Sequence, residues 1–162
     1  FDTIHKKLYI WKGIQNDYFV IMQDSNIMNT KPISADLYIL CFWCRRACVD
    51  DDTKKLFNDL QGTHFLAVGT CGHYPDSEYG QKIKRQVADY INQSNHCIDV
   101  FFSQGAVLSY STEYRRKLPS DHPHYLDDNG YARHLESQNH PNEIDIQNAI
   151  SFVSKYLSMT EH

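Results

Sequence analysis

Residues 37–53 read LYILCFWCRRACVDDDT. Leu37–Trp43 is a continuous apolar run with three aromatic rings. A short run without polar alternation suits a strand covered on both faces, as in a parallel sheet. Asp50–Asp52 then precede Leu56, Phe57 and Leu60, which stand on one side of a helical pattern over Thr53–Leu60. Acidic residues at that point suit both N-capping and the helix dipole. Strand, polar turn and helix therefore follow one another, the ordering of an α/β unit.

The same reading extends in both directions. Apolar runs recur at 18-YFVIM-22, 64-HFLAVG-69 and 98-IDVFF-102. Helical spacing appears over Glu78–Asn92, with Tyr79, Ile83, Val87 and Tyr90 or Ile91. It appears again over Asn142–Leu157, with Ile146, Ala149, Ile150, Val153 and Leu157, where Asn142 is the expected cap. FDTIHKKL at the start reads as the back half of a helix, with Ile4 and Leu8 at i, i+4. Leu118–His140 is a long irregular stretch, expected to be functional or partly helical. The alternation predicts one α/β domain over residues 1–162 with an open parallel sheet.

Composition narrows the function classes. The chain has 162 residues, a formal net charge of −4 and five cysteines. That balance gives no support to a nucleic-acid partner, which favours a basic surface. No apolar run is long enough to span a bilayer, so no membrane partner is expected. An odd number of cysteines in a chain of this size points to reduced thiols and a cytoplasmic setting. In an open parallel sheet, ligands gather at the C-terminal strand ends. Three such ends are legible: Phe42–Asp52, 69-GTCGHYPDSEYG-80 and 103-SQGAVLSYS-111.

At these three loops the sequence resembles the flavodoxins, and more closely a subgroup with Gly-Phe-Trp and Gly-Thr-x-Gly strand ends. The matching pieces are CFWCRRACVDDDTKKLFNDL, FLAVGTCGHYPDSEYG, FFSQGA and DHPHYLDDNGYARHLESQNHPNEIDIQNAISF. Together they cover Asp36 to Phe152. The resemblance implies a three-layer αβα sandwich with a parallel sheet in the order 2-1-3-4-5. It implies non-covalent FMN and electron transfer to redox partner proteins. Tyr18–Met22 would be the second strand. The first strand and the phosphate-binding loop would precede Phe1, making the chain N-terminally incomplete.

Residues expected at the flavin follow from that mapping. Trp43 stands where the family places an aromatic against the ring; its alternative is a cap on the core. Phe42 has the opposite parity and is expected inside. Cys44, Arg45, Arg46 and Ala47 form the turn after it. Ala47 replaces a glycine whose backbone flip tunes the flavin in this family, and alanine disfavours positive φ. Gly69, Thr70, Cys71 and Gly72 form the second loop, with His73 and Tyr74 as alternative outer-face stackers. Ser103, Gln104 and Gly105 form the third. Each glycine could equally serve a tight turn. Asp50–Asp52 could rim the site with negative charge or cap the helix.

Cys41, Cys44 and Cys48 carry a Cys-x-x-Cys pair, but Cys71 and Cys97 supply no second pair for zinc. His122, His124, His134 and His140 match no standard metal spacing. No catalytic residue or metal site is therefore assigned. Three functions stay open: an FMN electron carrier, which leads; an FMN-dependent NAD(P)H oxidoreductase acting on a small molecule; and a flavin-free interaction module. Whether the chain is an enzyme is left open. Electron donor, acceptor and oligomeric state are not legible.

Overall fold

The computed structural model describes residues 7–14, 17–24 and 35–157. Its strands are β1 (Lys7–Ile14), β2 (Asp17–Asp24), β3 (Leu37–Arg45), β4 (Cys48–Val49), β5 (His64–Cys71) and β6 (His96–Gln104). Its helices are α1 (Asp51–Asp59), α2 (Glu78–Ile91), α3 (Ser109–Arg116), α4 (Asp128–Ser137) and α5 (Glu143–Leu157). The sheet runs β2-β1-β3-β5-β6, and β4 pairs with β3. No helix among the described residues is long and apolar enough to cross a membrane.

The three-layer α/β architecture is the expected one. Tyr38, Leu40, Phe42, Phe65, Ala67, Val100 and Phe102 meet Leu56 and Phe57 of α1 and Ile83, Val87 and Ile91 of α2 on one face. Leu37, Ile39 and Leu66 meet Phe152, Val153, Tyr156 and Leu157 of α5 on the other. Side chains of opposite parity along β3 therefore enter different layers, as pleating requires. Asp99 of β6 joins both layers. Its carboxylate accepts from the Tyr156 hydroxyl of α5 at 2.6 Å and pairs with Lys84 of α2 at 3.2 Å.

Two expectations are corrected. Residues 1–6 lie outside the described part, but Lys7 and Leu8 open a strand rather than close a helix. The ladders that β1 makes with both neighbours override the i, i+4 pair. The sheet is also mixed rather than wholly parallel. β3, β5 and β6 are mutually parallel, whereas β1 runs antiparallel to β2 and to β3. Only two residues, Gln15 and Asn16, join β1 to β2, and a parallel crossover needs about a dozen. β1 thus takes the place beside β3 that the sequence reading assigned to a strand before Phe1. The long strands still stand in the spatial order second, first, third, fourth, fifth.

α3 was not anticipated. Its sequence, SYSTEYRR, buries only Thr112, and its N-cap residue Leu108 offers no side-chain acceptor. Neither apolar periodicity nor a cap marks it. α4 lies within the irregular 118–140 stretch and is capped by Asp127, whose carboxylate accepts from Gly130 N at 2.7 Å.

Between β3 and β4 the chain turns in two residues, with Arg45 paired to Cys48. Arg46 has φ 52° and Ala47 φ 59°. Positive φ at both central positions is the type I′ hairpin turn, which normally takes Asn-Gly. The alanine expected to resist positive φ therefore adopts it. A non-glycine residue there costs about 1–2 kcal/mol. Gly at 47 would lose the methyl that packs on the core, so the gain is cleaner at exposed Arg46. Arg46→Asn is expected to stabilise the fold by about 1 kcal/mol, read as a raised urea midpoint. An unchanged or lowered midpoint would contradict this account of the turn.

Candidate functional site

The parallel register aligns the expected residues in rows. Phe42, Gly69 and Phe102 are partners across β3, β5 and β6, and Trp43, Thr70 and Ser103 form the next row. Cys71 and Gln104 follow. Alternation sends the Trp43 row toward the α5 face. There Thr70 and Ser103 line a groove of about 200 Å³ with Cys41, Val68, Pro141 and Ile146. Trp43 stands at the strand end with 39% of its surface exposed. Gly69 has a packing role as well: a Cβ there would lie 2.7 Å from Phe102 and 2.8 Å from Phe42.

The second loop, Gly72–Tyr74, is held by side chains. Ser77 donates its hydroxyl proton to Tyr74 O at 2.6 Å and accepts from Gly80 N at 3.0 Å, capping α2. Its oxygen also lies 3.0 Å from His73 Nδ1. With the hydroxyl proton committed, His73 must donate from Nδ1, which leaves Nε2 as an acceptor. Burial, then the positive charge of Arg133, lowers the His73 pKa and favours this neutral form. His73 packs against the rings of Tyr74 and Tyr79. The Tyr74 hydroxyl donates to Glu136 of α4. The amides of Gly72, His73 and Tyr74 have no acceptor among the described residues.

The third loop is the reverse case. Gly105 N donates to Cys71 O at 2.8 Å, Ala106 N to His140 O at 3.1 Å and Val107 N to Ser137 Oγ at 3.0 Å. A Cβ on Gly105 would sit 2.8 Å from Thr70 Cβ, so the glycine permits the close approach of the two strand ends. Ser103 and Gln104 are buried. Ser103 faces the groove, while Gln104 shares the opposite parity with Cys71.

The turn residues are more exposed. Arg45 pairs with Asp51 at 2.9 Å, and Asp51 also meets Lys54 at 3.3 Å. Asp50 is buried and caps α1, accepting from Thr53 N at 3.2 Å and Thr53 Oγ1 at 2.8 Å. Asp50 is thus committed to the cap, and Asp51, though exposed, is paired with Arg45 and Lys54. Burial, with Cys71 and Cys48 alongside, pushes the Cys44 thiol up to about 12, and burial also raises Cys71. Thiols held protonated are poor nucleophiles and poor metal ligands.

α4 contributes groups that the sequence did not single out for this edge. His134 Nδ1 lies 2.9 Å from Thr112 Oγ1 of α3, and Ser137 donates to His134 O at 2.7 Å. Arg133 stands beside His73, Tyr74 and His134, and its charge acts on all three. No local pattern marks these residues, because tertiary packing alone brings α4 over the loops.

The family model for the flavodoxin domain matches residues 9–154. The chain belongs to that family. It is similar to the flavodoxin-like domain-containing protein BilS of Clostridioides difficile (strain CD3). The two are 25% identical over 125 residues, covering 75% of this chain and 70% of that protein. Flavodoxin domains generally bind flavin, and the residues present fit one. An exposed indole offers a stacking face, and amides without described acceptors are donors of the kind that a flavin's carbonyl edge takes.

Burial, followed by the charges of Arg133, Arg115 and His73, lowers the His134 pKa from 6.5 to about 4. The unfolded chain takes up this proton near pH 6.5, whereas the folded chain resists it until near 4. Stability from neutral His134 is therefore complete above pH 6.5 and is lost as pH falls toward 4. The loss reaches about 3 kcal/mol. Urea titrations at pH 7 and 4.5 should show a smaller acid loss for His134→Gln than for the parent. Equal losses would contradict the assignment.

Proposed function

We propose that this flavodoxin-like protein binds FMN non-covalently and carries electrons between redox partner proteins. The observation that carries this reading is the row Trp43–Thr70–Ser103 beside the unpartnered amides of Gly72–Tyr74. Bound FMN would supply one- and two-electron chemistry, which no side chain here can provide. The protein's part is positioning. Trp43 would cover one face of the ring and exclude water from it. The Gly72–Tyr74 amides would donate to the ring's carbonyl edge. The committed third loop would fix the floor. Arg46, on the neighbouring turn, would add positive charge near a reduced, electron-rich ring.

FMN titration followed by flavin fluorescence quenching tests the binding. Trp43→Ala is expected to weaken FMN about tenfold. It should also raise the midpoint potential, because an aromatic face disfavours the electron-rich reduced ring. A colourless chain after incubation with FMN would overturn the reading. Steady oxidation of NAD(P)H by the flavin-loaded protein alone would replace the carrier with an oxidoreductase.

A further inference from the structure

The groove between the sheet and α5 encloses about 200 Å³. Its walls are mainly apolar, with Val68 and Phe101 from the sheet and Pro141, Ile146 and Ala149 from α5 and the residues before it. Phe101 is held by the Phe152 ring of α5, with centroids 5.5 Å apart. Ile146 leaves 47% of its surface exposed. An apolar cavity of about 150 Å³ already takes benzene, so the groove has room for a single ring.

Three polar side chains interrupt these walls: Thr70, Ser103 and Asp145. Asp145 is the one charged residue among those lining the groove. Its Oδ2 accepts from His140 Nδ1 at 2.6 Å and from Asn142 N at 2.8 Å. Its Oδ1 has no partner among the described residues and stays open to solvent. The hydroxyls of Thr70 and Ser103 are also without a partner among the described residues, and also open. These two residues are partners on neighbouring strands, so their Cα atoms stand about 5 Å apart and their side chains share one face. A neutral hydrocarbon in the groove would shut all three groups from water unpaired, which is costly. A carboxylate would meet Asp145 with like charge. An ammonium supplies three N–H donors and the opposite charge together. We propose that the groove binds a small primary amine with an apolar body. Its ammonium donates to Asp145 Oδ1, its body packs on Val68, Phe101 and Ile146, and the Thr70 and Ser103 hydroxyls are acceptors for the remaining donors.

Amide NMR shifts of the isotope-labelled chain, titrated with benzylamine, benzyl alcohol and benzoate, provide the test. Benzylamine should give saturable shifts centred on Val68, Ser103 and Ile146. It should bind about tenfold more tightly than benzyl alcohol, the neutral molecule of the same shape. Benzoate should not bind. No saturable shift with benzylamine, shifts centred elsewhere, or equal affinities for amine and alcohol overturn the proposal.

Two variants separate charge from shape. Asp145→Asn keeps an acceptor for His140 and Asn142 but loses the charge. It should weaken benzylamine about tenfold and leave benzyl alcohol unchanged; a preserved preference for the amine overturns the proposal. Ala149→Leu fills the groove from α5 and should abolish binding of both molecules. Binding that persists in a folded Ala149→Leu chain places the ligand elsewhere and also overturns it. The titrations use the chain without added flavin, so the carrier reading and the amine groove can fail separately.

Discussion

The row Phe42–Gly69–Phe102 sets the geometry on which the rest depends. Because Gly69 has no Cβ, the two phenylalanine rings close over it edge to face, with centroids 5.6 Å apart at 75°. Any larger residue would push into both rings. This contact draws the ends of β3, β5 and β6 together on the α1–α2 side. It thereby presents the next row, Trp43–Thr70–Ser103, in line on the α5 side. A core contact of ordinary chemistry thus sets the spacing of the surface above it.

The α/β character was legible because it rests on local signals. The apolar runs at 37–43, 64–69 and 98–102 all lie within strands, and the helical spacings over 78–92 and 142–157 correspond to α2 and α5. Asn142 also acts as expected, accepting from Ile144 N at 2.9 Å. The misses have one physical character. β1 is set by ladders to two neighbours, so the Ile4/Leu8 spacing could not reveal it. α3 is polar on nearly every side and gives no period.

The site divides in the same way. Strand ends are positional consequences of the fold, so Trp43, Thr70 and Ser103 could be named from sequence and converge as a row. Arg133 could not. It belongs to a helix whose only relation to the Cys71–Tyr74 loop is three-dimensional, and its charge on His73 and His134 is visible only once the helix is placed. Ala47 shows the limit of propensity: the hairpin register demands positive φ, and the residue accepts it at a cost.

The third loop has a consequence for specificity. With the amides of Gly105, Ala106 and Val107 spent on Cys71, His140 and Ser137, that loop is tied at once to β5, to the residue before α5's lead-in and to α4. It behaves as a strut rather than a receptor. Among the described residues of these loops, the backbone donors left open are those of Gly72–Tyr74. Sequence change at Gly105–Val107 would act by tilting α4 and α5 against the sheet rather than by removing a free donor.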